Sequence, residues 1–367
     1  MTVDNTSATI QRVNADAGVT ATTDTAQSDM VTTDGNGSIV LRTMHGNITL
    51  NDGTAVADNT AISANGTGNI LVEAIGAGTS ITSNADIISS TGNITLLGTQ
   101  DVIFTANADI TTGGSGVLGT IDIEAGTGSI DLSTTSNTTS TGGDIRMLAA
   151  TNVNVGGLIS TSANVSITAT TGTIYDNDGN DTSVDIASSG LRLWGGTGVG
   201  VLGGSVNPIE TTVTTLSGRA TSGGINILET DGLTVDNTSA TIQRVNTDAS
   251  ASTTTDTAQS DVVTTNGNGS IVLRTTAGNI VLNDGTAATG ANATWGPLNY
   301  SNTAISANGT GNILVEAIGA GTSITGNADI TSSMGNITLL GAQDVIFTDN
   351  ADITTCLLYT SPSPRDS

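Results

Sequence analysis

The sequence predicts an all-β parallel β-helix, a solenoid in which short strands stack from one coil to the next. Its first sign is a recurring word, "GNI", which begins at Gly46, Gly68, Gly92, Gly278, Gly311 and Gly335. Most of these words open an apolar–x–apolar triplet, such as Ile48/Leu50 or Ile94/Leu96. Alternation over three to five residues is typical of a half-buried strand. The glycine steps are expected to supply the positive φ that turns the chain before each strand.

The second sign is tandem repetition over a very long period. Residues 2–55 recur as 234–287, and residues 59–112 recur as 302–355. The second copy carries an insertion, "ATGANATWGPLNYS", at 288–301. We therefore predict one β-solenoid repeat region over 1–355, in which 2–112 recurs as 234–355.

The third sign is the scarcity of aromatic residues, which make up 2% of the chain. A string of β-sandwiches is the alternative architecture, but sandwiches generally need longer alternating strands and an aromatic anchor. In a β-helix, two or three short strands form one coil of roughly 20 residues. Some 17 such coils are expected to form a rod about 80 Å long.

Composition and charge narrow the range of partners. The chain has 33 acidic and 8 basic residues, and its net charge is −25. Nucleic acids and anionic membrane surfaces need a basic patch, so we expect neither as a partner. No stretch of 18 apolar residues occurs, and no membrane insertion of this segment is expected.

The two ends of the chain look different from the repeat. The last twelve residues, "CLLYTSPSPRDS" (356–367), resemble a translated sequencing adapter, and we treat them as a non-native tail. Met1 stands where the second copy has Leu233 before the same words. We expect the chain to be an internal fragment of a longer protein.

Several phrases, among them "TGNITLLGTQDVIFTANADITTGG" and "STGGDIRMLAATNVNVGGLIST", resemble giant repetitive bacterial surface proteins of the filamentous-haemagglutinin-like type. The resemblance covers essentially all of 1–355 and rests on a low-complexity style. It implies a right-handed parallel β-helix, secretion to the cell surface, and service as an adhesin stalk or matrix component. The implied partners are a host or neighbouring cell surface, or the extracellular matrix.

One acidic segment is a candidate metal site. "YDNDGNDTSVD" places Asp176, Asp178, Asp181 and Asp185 around a glycine. Hard oxygen ligands at alternate positions of a Gly/Asn turn suit Ca²⁺. The same segment could equally be a solvated acidic turn, because it matches no established calcium motif.

The insertion is a candidate partner-binding loop. It brings Trp295 and Tyr300 into one segment of a chain that is otherwise poor in aromatics. Binding residues tend to lie on loops held by a rigid scaffold, and Trp and Tyr are favoured contact residues. A tolerated decoration at a corner of the coil is the alternative interpretation.

No pattern indicates catalysis. Gly198, Gly200 and Gly203 match a dinucleotide-binding fingerprint, but "SVNPIETTVTTLSG" follows where a helix is needed. His45, the only histidine, is replaced by Ala277 in the second copy, and the arginines look scattered. We therefore predict a structural stalk without enzymatic activity or a required cofactor. A β-helix polysaccharide-degrading enzyme and an S-layer or biofilm matrix protein remain the alternatives, and a cluster of carboxylates and basic residues on neighbouring coils would favour the enzyme.

Overall fold

The protein is described by a computed structural model that covers residues 1–53, 58–106, 108–114, 118–179, 182–285 and 302–355. Within these ranges it is all-β, with 34 strands in one sheet and two separate two-stranded hairpins. No helix long and apolar enough to span a membrane occurs in the same ranges. The predicted parallel β-helix is therefore confirmed, and the alternative of tandem β-sandwiches is wrong.

The chain alternates short strands with turns throughout. The strands are β1 (Thr2–Val3), β2 (Thr9–Val13), β3 (Val19–Thr23), β4 (Met30–Val31), β5 (Ile39–Thr43), β6 (Ile48–Leu50), β7 (Thr60–Ala64), β8 (Ile70–Ala74), β9 (Ile81–Ser83), β10 (Asp86–Ser89), β11 (Ile94–Gly98), β12 (Val102–Phe104), β13 (Ile110–Thr112), β14 (Ile121–Ala125), β15 (Ile130–Leu132), β16 (Thr138–Ser140), β17 (Ile145–Ala149), β18 (Val153–Val155), β19 (Ile159–Ser160), β20 (Asn164–Ala169), β21 (Thr173–Asp176), β22 (Ile186–Gly195), β23 (Gly198–Val199), β24 (Ile209–Ala220), β25 (Ile225–Glu229), β26 (Leu233–Val235), β27 (Thr241–Val245), β28 (Ala251–Thr255), β29 (Val262–Thr264), β30 (Ile271–Thr275), β31 (Ile280–Leu282), β32 (Thr303–Ala307), β33 (Ile313–Ala317), β34 (Ile324–Gly326), β35 (Asp329–Ser332), β36 (Ile337–Gly341), β37 (Val345–Phe347) and β38 (Ile353–Thr355).

Over most of the rod each strand pairs in parallel with the strand three places further along the chain, so three strands make one coil. The stacked strands form three columns. Column 1 contains β5, β8, β11, β14, β17, β20, the second halves of β22 and β24, β29, β32, β35 and β38. Column 2 contains β1, β6, β9, β12, β15, β18, β21, β23, β25, β30, β33 and β36. Column 3 contains β4, β7, β10, β13, β16, β19, the first halves of β22 and β24, β26, β31, β34 and β37.

The number of coils is smaller than the sequence predicts. Each column holds 12 strands, so the rod is ~53 Å long at ~4.8 Å between stacked strands. The prediction of 17 coils and 80 Å is wrong because a coil takes more residues than the assumed 20. The ladder from Ile94 to Ile121, for example, advances by 27 residues in one coil, and the hairpins leave the rod altogether.

Ladders of aliphatic side chains fill the interior. In column 2, Ile48 pairs with Ile81, Ile81 with Val102, and Val102 with Ile130, and all four side chains are fully buried. Asn47, which precedes the first of them, is exposed. The predicted orientation of the "GNI" triplets is therefore confirmed, with the aliphatic residues inside and the asparagines outside.

The glycine and asparagine of this word have a role that the sequence alone did not indicate. Among the six glycines, Gly46 and Gly278 have positive φ, whereas the other four do not. A Cβ on Gly68 would lie 2.1 Å from the carbonyl oxygen of Gly37 in the coil below, so no larger residue fits. The following asparagine holds the next coil, since Asn69 Oδ1 accepts a hydrogen bond of 2.9 Å from the Asn93 backbone N–H.

The two copies of the long repeat do not stand on the same side of the rod. β5 and β30 have the same sequence, "IVLRT", yet β5 belongs to column 1 and β30 to column 2. The change arises because the intervening chain completes a whole number of coils plus one third. Outward-facing residues of the two copies therefore point in different directions.

The two antiparallel hairpins leave the coils at equivalent places in the two copies. β2 pairs with β3, and β27 pairs with β28. The second hairpin folds back along column 1 and packs on coils that precede it in the chain, from the coil of β20 to that of β8. Nothing in the strand words of the sequence predicted these hairpins.

Candidate functional site

A cluster of carboxylates is buried between columns 2 and 3. Asp176 ends β21 and points inward, in register with Val155 of the coil below. It is 3% exposed, and it stands at a level of the ladder that apolar residues occupy in neighbouring coils. Oxygens of Asp176, Asp178 and Asp185 lie within 4.8 Å of one another.

The hydrogen bonds of this cluster fix two carboxylates and leave one oxygen available. Asp176 Oδ1 accepts a bond of 2.8 Å from the Asp178 backbone N–H, and Asp185 Oδ2 accepts one of 2.9 Å from the Glu210 backbone N–H. Asp176 Oδ2 is buried without a hydrogen-bond partner. An open cavity of about 630 Å³, lined by Tyr175, Asp176 and Asn207 among others, adjoins the cluster. A cation could therefore reach the cluster from solvent.

Burial governs the protonation of Asp185. It raises the pKa of this carboxyl to about 9; the backbone N–H of Glu210 opposes the shift, while the charges of Asp176, Glu210 and Asp178 add to it. Without a cation, Asp185 holds a proton at neutral pH. A hard divalent cation at the site would replace that proton and bind the acidic oxygens directly.

The predicted calcium ligands are brought together in part. Asp176, Asp178 and Asp185 meet as expected, whereas Asp181 lies outside the described residues. Sequence reasoning missed Glu210, which is 3% exposed and adjoins Asp185 from the next coil. The sequence feature that could have indicated Glu210 is its spacing from Asp185, since the 25 residues between them are about the length of one coil.

A second acidic group, which the sequence analysis did not single out, contains Asp29, Asp52 and Asp58. Asp29 Oδ1 accepts a bond of 3.1 Å from the Gly53 N–H, and Asp261 in the second copy accepts the equivalent bond from Gly285. Burial raises the pKa of Asp261 to about 7. Because both copies use the carboxylate to hold a neighbouring loop, this group has a structural explanation within the repeat.

Three of the arginines are gathered in one place, contrary to the expectation from sequence. Arg146, Arg192 and Arg219 lie on column 1 in β17, β22 and β24, and all three are buried. Arg192 pairs with Ser166 of the strand below, and Ser166 pairs with Arg146. The coil stacking thus unites residues that are 46 and 27 positions apart in the sequence.

These arginines line a groove that we call the arginine groove, a cavity of about 400 Å³ between column 1 and the base of the second hairpin. Arg146 Nη1 donates to Asp122 Oδ1 and its Nε to Asp256 Oδ1, both at 2.9 Å. Burial opposes the charge of Arg146, but Asp122 and Asp256 raise its pKa above the usual range. Arg146 is therefore a fixed cation in an ion-pair network.

Arg192 has a different environment within the same groove. Its Nε donates to the Thr257 carbonyl at 3.1 Å, its Nη1 donates to Thr168 Oγ1 at 3.1 Å, and its guanidinium lies 5.7 Å from the centre of the Trp194 ring. Burial lowers the pKa of Arg192, Asp256 opposes that shift, and the charges of Arg219 and Arg146 add to it. Arg192 is therefore a second buried guanidinium in the arginine groove, held by neutral oxygens and beside the Trp194 ring.

Of the remaining candidates, the insertion is not tested by the structure, and the other two give no site. Trp295 and Tyr300 lie in the segment 286–301, outside the described residues. His45 is exposed in the turn before β6. Gly198 opens β23, and a turn with an isolated bridge between Val201 and Asn207 follows it, so the helix that a dinucleotide fingerprint requires is not there.

Comparison with known proteins found no match among protein-family models, curated proteins or solved structures. The stacked coils and the repeated sequence define the class of protein, which is a parallel β-helix built from tandem repeats.

Proposed function

We propose that this chain is a structural stalk segment of a secreted or surface-anchored bacterial adhesin of the filamentous-haemagglutinin-like type, and that it carries no catalytic activity. The observation that supports this most is the continuity of the three columns from the first to the last coil. Each added coil lengthens such a rod without adding new chemistry, because its strands pair only with those of the neighbouring coils. A spacer needs length and stiffness, and stacked coils provide both.

The proposed partners are a host or neighbouring cell surface, or the extracellular matrix. In a stalk, contact with these partners falls to other parts of the molecule or to decorations such as the insertion with Trp295 and Tyr300. An S-layer or biofilm matrix protein would use the same rod and would differ in its partners.

Surface labelling of the source bacterium tests this proposal. Antibodies raised against the chain should label intact, unpermeabilised cells, and gold particles should stand away from the outer boundary of the cell. Labelling that appears only after lysis would contradict an extracellular stalk. Washing with chelator and salt distinguishes an anchored protein from a loosely held matrix component.

We also propose that Ca²⁺ stabilises the rod at Asp176, Asp178 and Asp185, with Asp181 as a further candidate ligand. The buried Asp176 oxygen without a partner supports this, since a buried acceptor is costly to leave unpaired. Millimolar CaCl₂ should raise the melting temperature more than NaCl of equal ionic strength. The Asp178→Asn, Asp181→Asn double variant should lose this calcium-specific part. Equal effects of the two salts would show that the acidic cluster does not bind Ca²⁺.

A polysaccharide-degrading or polysaccharide-binding β-helix is the second candidate, and the arginine groove favours it. Arg146 pairs with Asp122 of the neighbouring coil and with Asp256 at the base of the second hairpin, and Arg192 and Arg219 line the same groove. Such a combination of cations and carboxylates could hold the acidic sugars of a uronate polymer. We rank it second because Arg146 is already engaged by Asp122 and Asp256.

Incubation of the full chain with uronate polymers separates the two candidates. A stalk leaves the polymers intact, as monitored by reducing ends and by the ultraviolet absorbance of unsaturated products. Cleavage that the Arg192→Ala variant lacks would establish the enzyme instead. Binding without cleavage, also lost in that variant, would identify the groove as a lectin-like site on a structural rod.

A further inference from the structure

The second hairpin is attached to the rod through its first strand, β27, which runs across the coils of column 1. Every second backbone N–H of this strand donates to a different coil. The three bonds are those of Thr241 to Asp144 Oδ2 at 2.6 Å, Gln243 to Thr120 Oγ1 at 2.8 Å, and Val245 to Thr95 Oγ1 at 2.9 Å. We call the surface that accepts them, formed by β11, β14, β17 and the residue before each of these strands, the receptor face.

Charge and burial reinforce these hydrogen bonds. Arg244 Nε lies 2.6 Å from Asp122 Oδ2, and Arg244 Nη2 lies 2.6 Å from Glu124 Oε2. Such a two-pronged contact fixes geometry as well as charge. Ile242 and Val245 are 0% and 2% exposed. The receptor face therefore recognises the sequence "TIQRVN" of residues 241–246.

The first hairpin carries the same docking residues as the second. Residues 9–14 also read "TIQRVN", and the two hairpins, 9–23 and 241–255, differ at five positions. In the second hairpin these positions are Thr247, Ser250, Ala251, Ser252 and Thr253, and all five are exposed. The two copies therefore differ only where the docked hairpin faces solvent, and they agree on the side that contacts the coils.

The first hairpin also has the shape of the docked one, although residues 4–27 are all exposed. Both hairpins close at the base with an isolated bridge and turn at an alanine with positive φ. The residues are Thr6, Gln27 and Ala17 in the first hairpin, and Thr238, Gln259 and Ala249 in the second. Yet Ile10 is 59% exposed and Val13 is 68% exposed. A preformed docking side thus faces solvent, and a preformed element loses little conformational freedom when it binds.

The direction of docking indicates which coils fit this hairpin. The second hairpin folds back on coils that precede it in the chain. Within this chain the receptor face is already covered by β27 and β28, so it is not free for the first hairpin. β1 pairs with β6 on one side, and its other edge ends column 2, where a further coil can stack. Coils stacked there would lie beside the first hairpin as the receptor face lies beside the second.

We propose that the first hairpin docks on the receptor face of a preceding repeat unit, that is, on coils with the sequence of residues 30–233 stacked before residue 2. In such a tandem array each unit receives the hairpin of the unit that follows it, so each receptor face is used once. Arg12 pairs there with the equivalents of Asp122 and Glu124. Hairpins of this kind fasten successive units together across several coils, whatever the function of the rod.

A sequence exchange within the present chain tests the fit. The substitutions Thr247→Ala, Ser250→Gly, Ala251→Val, Ser252→Thr and Thr253→Ala together give the second hairpin the sequence of the first. Hydrogen exchange over residues 241–246 reports docking, and we expect it to stay as slow as in the unaltered chain. Arg244→Glu, the undocking control, should accelerate it about tenfold or more. Acceleration by the five substitutions alone would overturn the proposal, because the first hairpin would then not fit the receptor face.

A longer chain tests the docking in place. Residues 1–233 are joined directly before residues 2–367, so that Leu233 of the added segment stands where Met1 stood. Exchange over residues 9–14 should be slowed about tenfold or more in the inner first hairpin, and it should keep its original rate in the outer one, which has no coils before it. Peptides that include the residue before Thr2 distinguish the two, because this residue is Leu in the inner hairpin and Met in the outer.

Arg12→Glu in the inner hairpin is the matched variant. It should return exchange over residues 9–14 to the rate of the outer hairpin, whereas the same substitution in the outer hairpin should leave the inner one protected. A single slow population over residues 94–98, which both segments contain, shows that the added coils are folded. Inner and outer hairpins that exchange alike would contradict the docking. Added coils that fail to fold would also overturn it, since a preceding unit must stack on β1 for the hairpin to dock.

Discussion

Gly92 lies directly above Gly68, and a Cβ built on it would stand 2.1 Å from the Gly68 carbonyl oxygen. The atoms in the way are backbone atoms of the coil below, so they cannot turn aside as a flexible side chain could. Glycine at these corners is therefore a packing requirement between coils. The sequence showed that glycine was needed there, but the reason became visible only once coils were stacked.

We expect Gly92→Ala to lower the free energy of unfolding by about 1–3 kcal/mol, the usual range for overpacking a filled site. Gly204→Ala is the matched control, because a Cβ at Gly204 would meet no atom within 4 Å. Urea unfolding followed by circular dichroism measures both. Equal stability of the two variants would show that the coils can separate enough to admit a methyl group.

Asp185 predicts an unusual pH dependence. Its pKa is about 9 in the folded chain, against the usual 3.8 of an exposed aspartate, so the folded state holds a proton that the unfolded state releases. In chelator, stability should therefore fall as the pH rises from about 4 to about 9. Asp185→Asn should flatten this slope and raise the free energy of unfolding at pH 8. In millimolar Ca²⁺ the same substitution should lower the stability, because it removes a ligand of the cation. If the dependence of stability on pH in chelator is unchanged by Asp185→Asn, this account of the site is wrong.

At the scale of elements, the strands and the two hairpins differ in how far the sequence specified them. The inward orientation of the triplets could be predicted from period-2 alternation. An aliphatic residue such as Ile48 or Ile94 is assigned to the interior from the residues of its own strand alone. The hairpin strand β27 carries Arg244 and Gln243 between two apolar residues, and its partner surface lies more than 90 residues earlier in the chain. No local pattern could indicate that surface.

The repeat offers a matched pair for measuring what hairpin docking contributes. We expect Ile242→Ala to cost about 2–4 kcal/mol, because it removes a fully buried side chain, and Ile10→Ala to cost almost nothing. Hydrogen exchange at the Gln243 and Val245 amides should accelerate in the first variant only. If Ile10→Ala destabilised the chain as much as Ile242→Ala does, the claim that only the second hairpin packs on the coils would be wrong.

At the scale of the whole molecule, coil length decided what could be predicted. Fold class needed only the type of strand and its repetition, and it was correct. The number of coils, the rotation of the second copy by one column, and the gathering of Arg146, Arg192 and Arg219 all depend on how many residues each coil takes. Ladder steps in column 1 vary from 20 to 27 residues between Ile94 and Val165. Because this step varies, the number of coils cannot be calculated from the sequence alone. The acidic cluster could be predicted because Asp176, Asp178 and Asp185 lie close together in the sequence.

The central claim is that the chain is a stiff spacer, and one distance tests it most directly. Thr49 in β6 and Thr338 in β36 both lie in column 2, ten strand spacings apart. Spin labels at Thr49→Cys and Thr338→Cys, in a Cys356→Ser background, report this distance by pulsed electron paramagnetic resonance. We predict a single narrow distribution centred at about 48 Å, from ~4.8 Å per coil. A broad distribution, or a mean well short of that distance, would contradict a continuous rod and with it the role of a stalk.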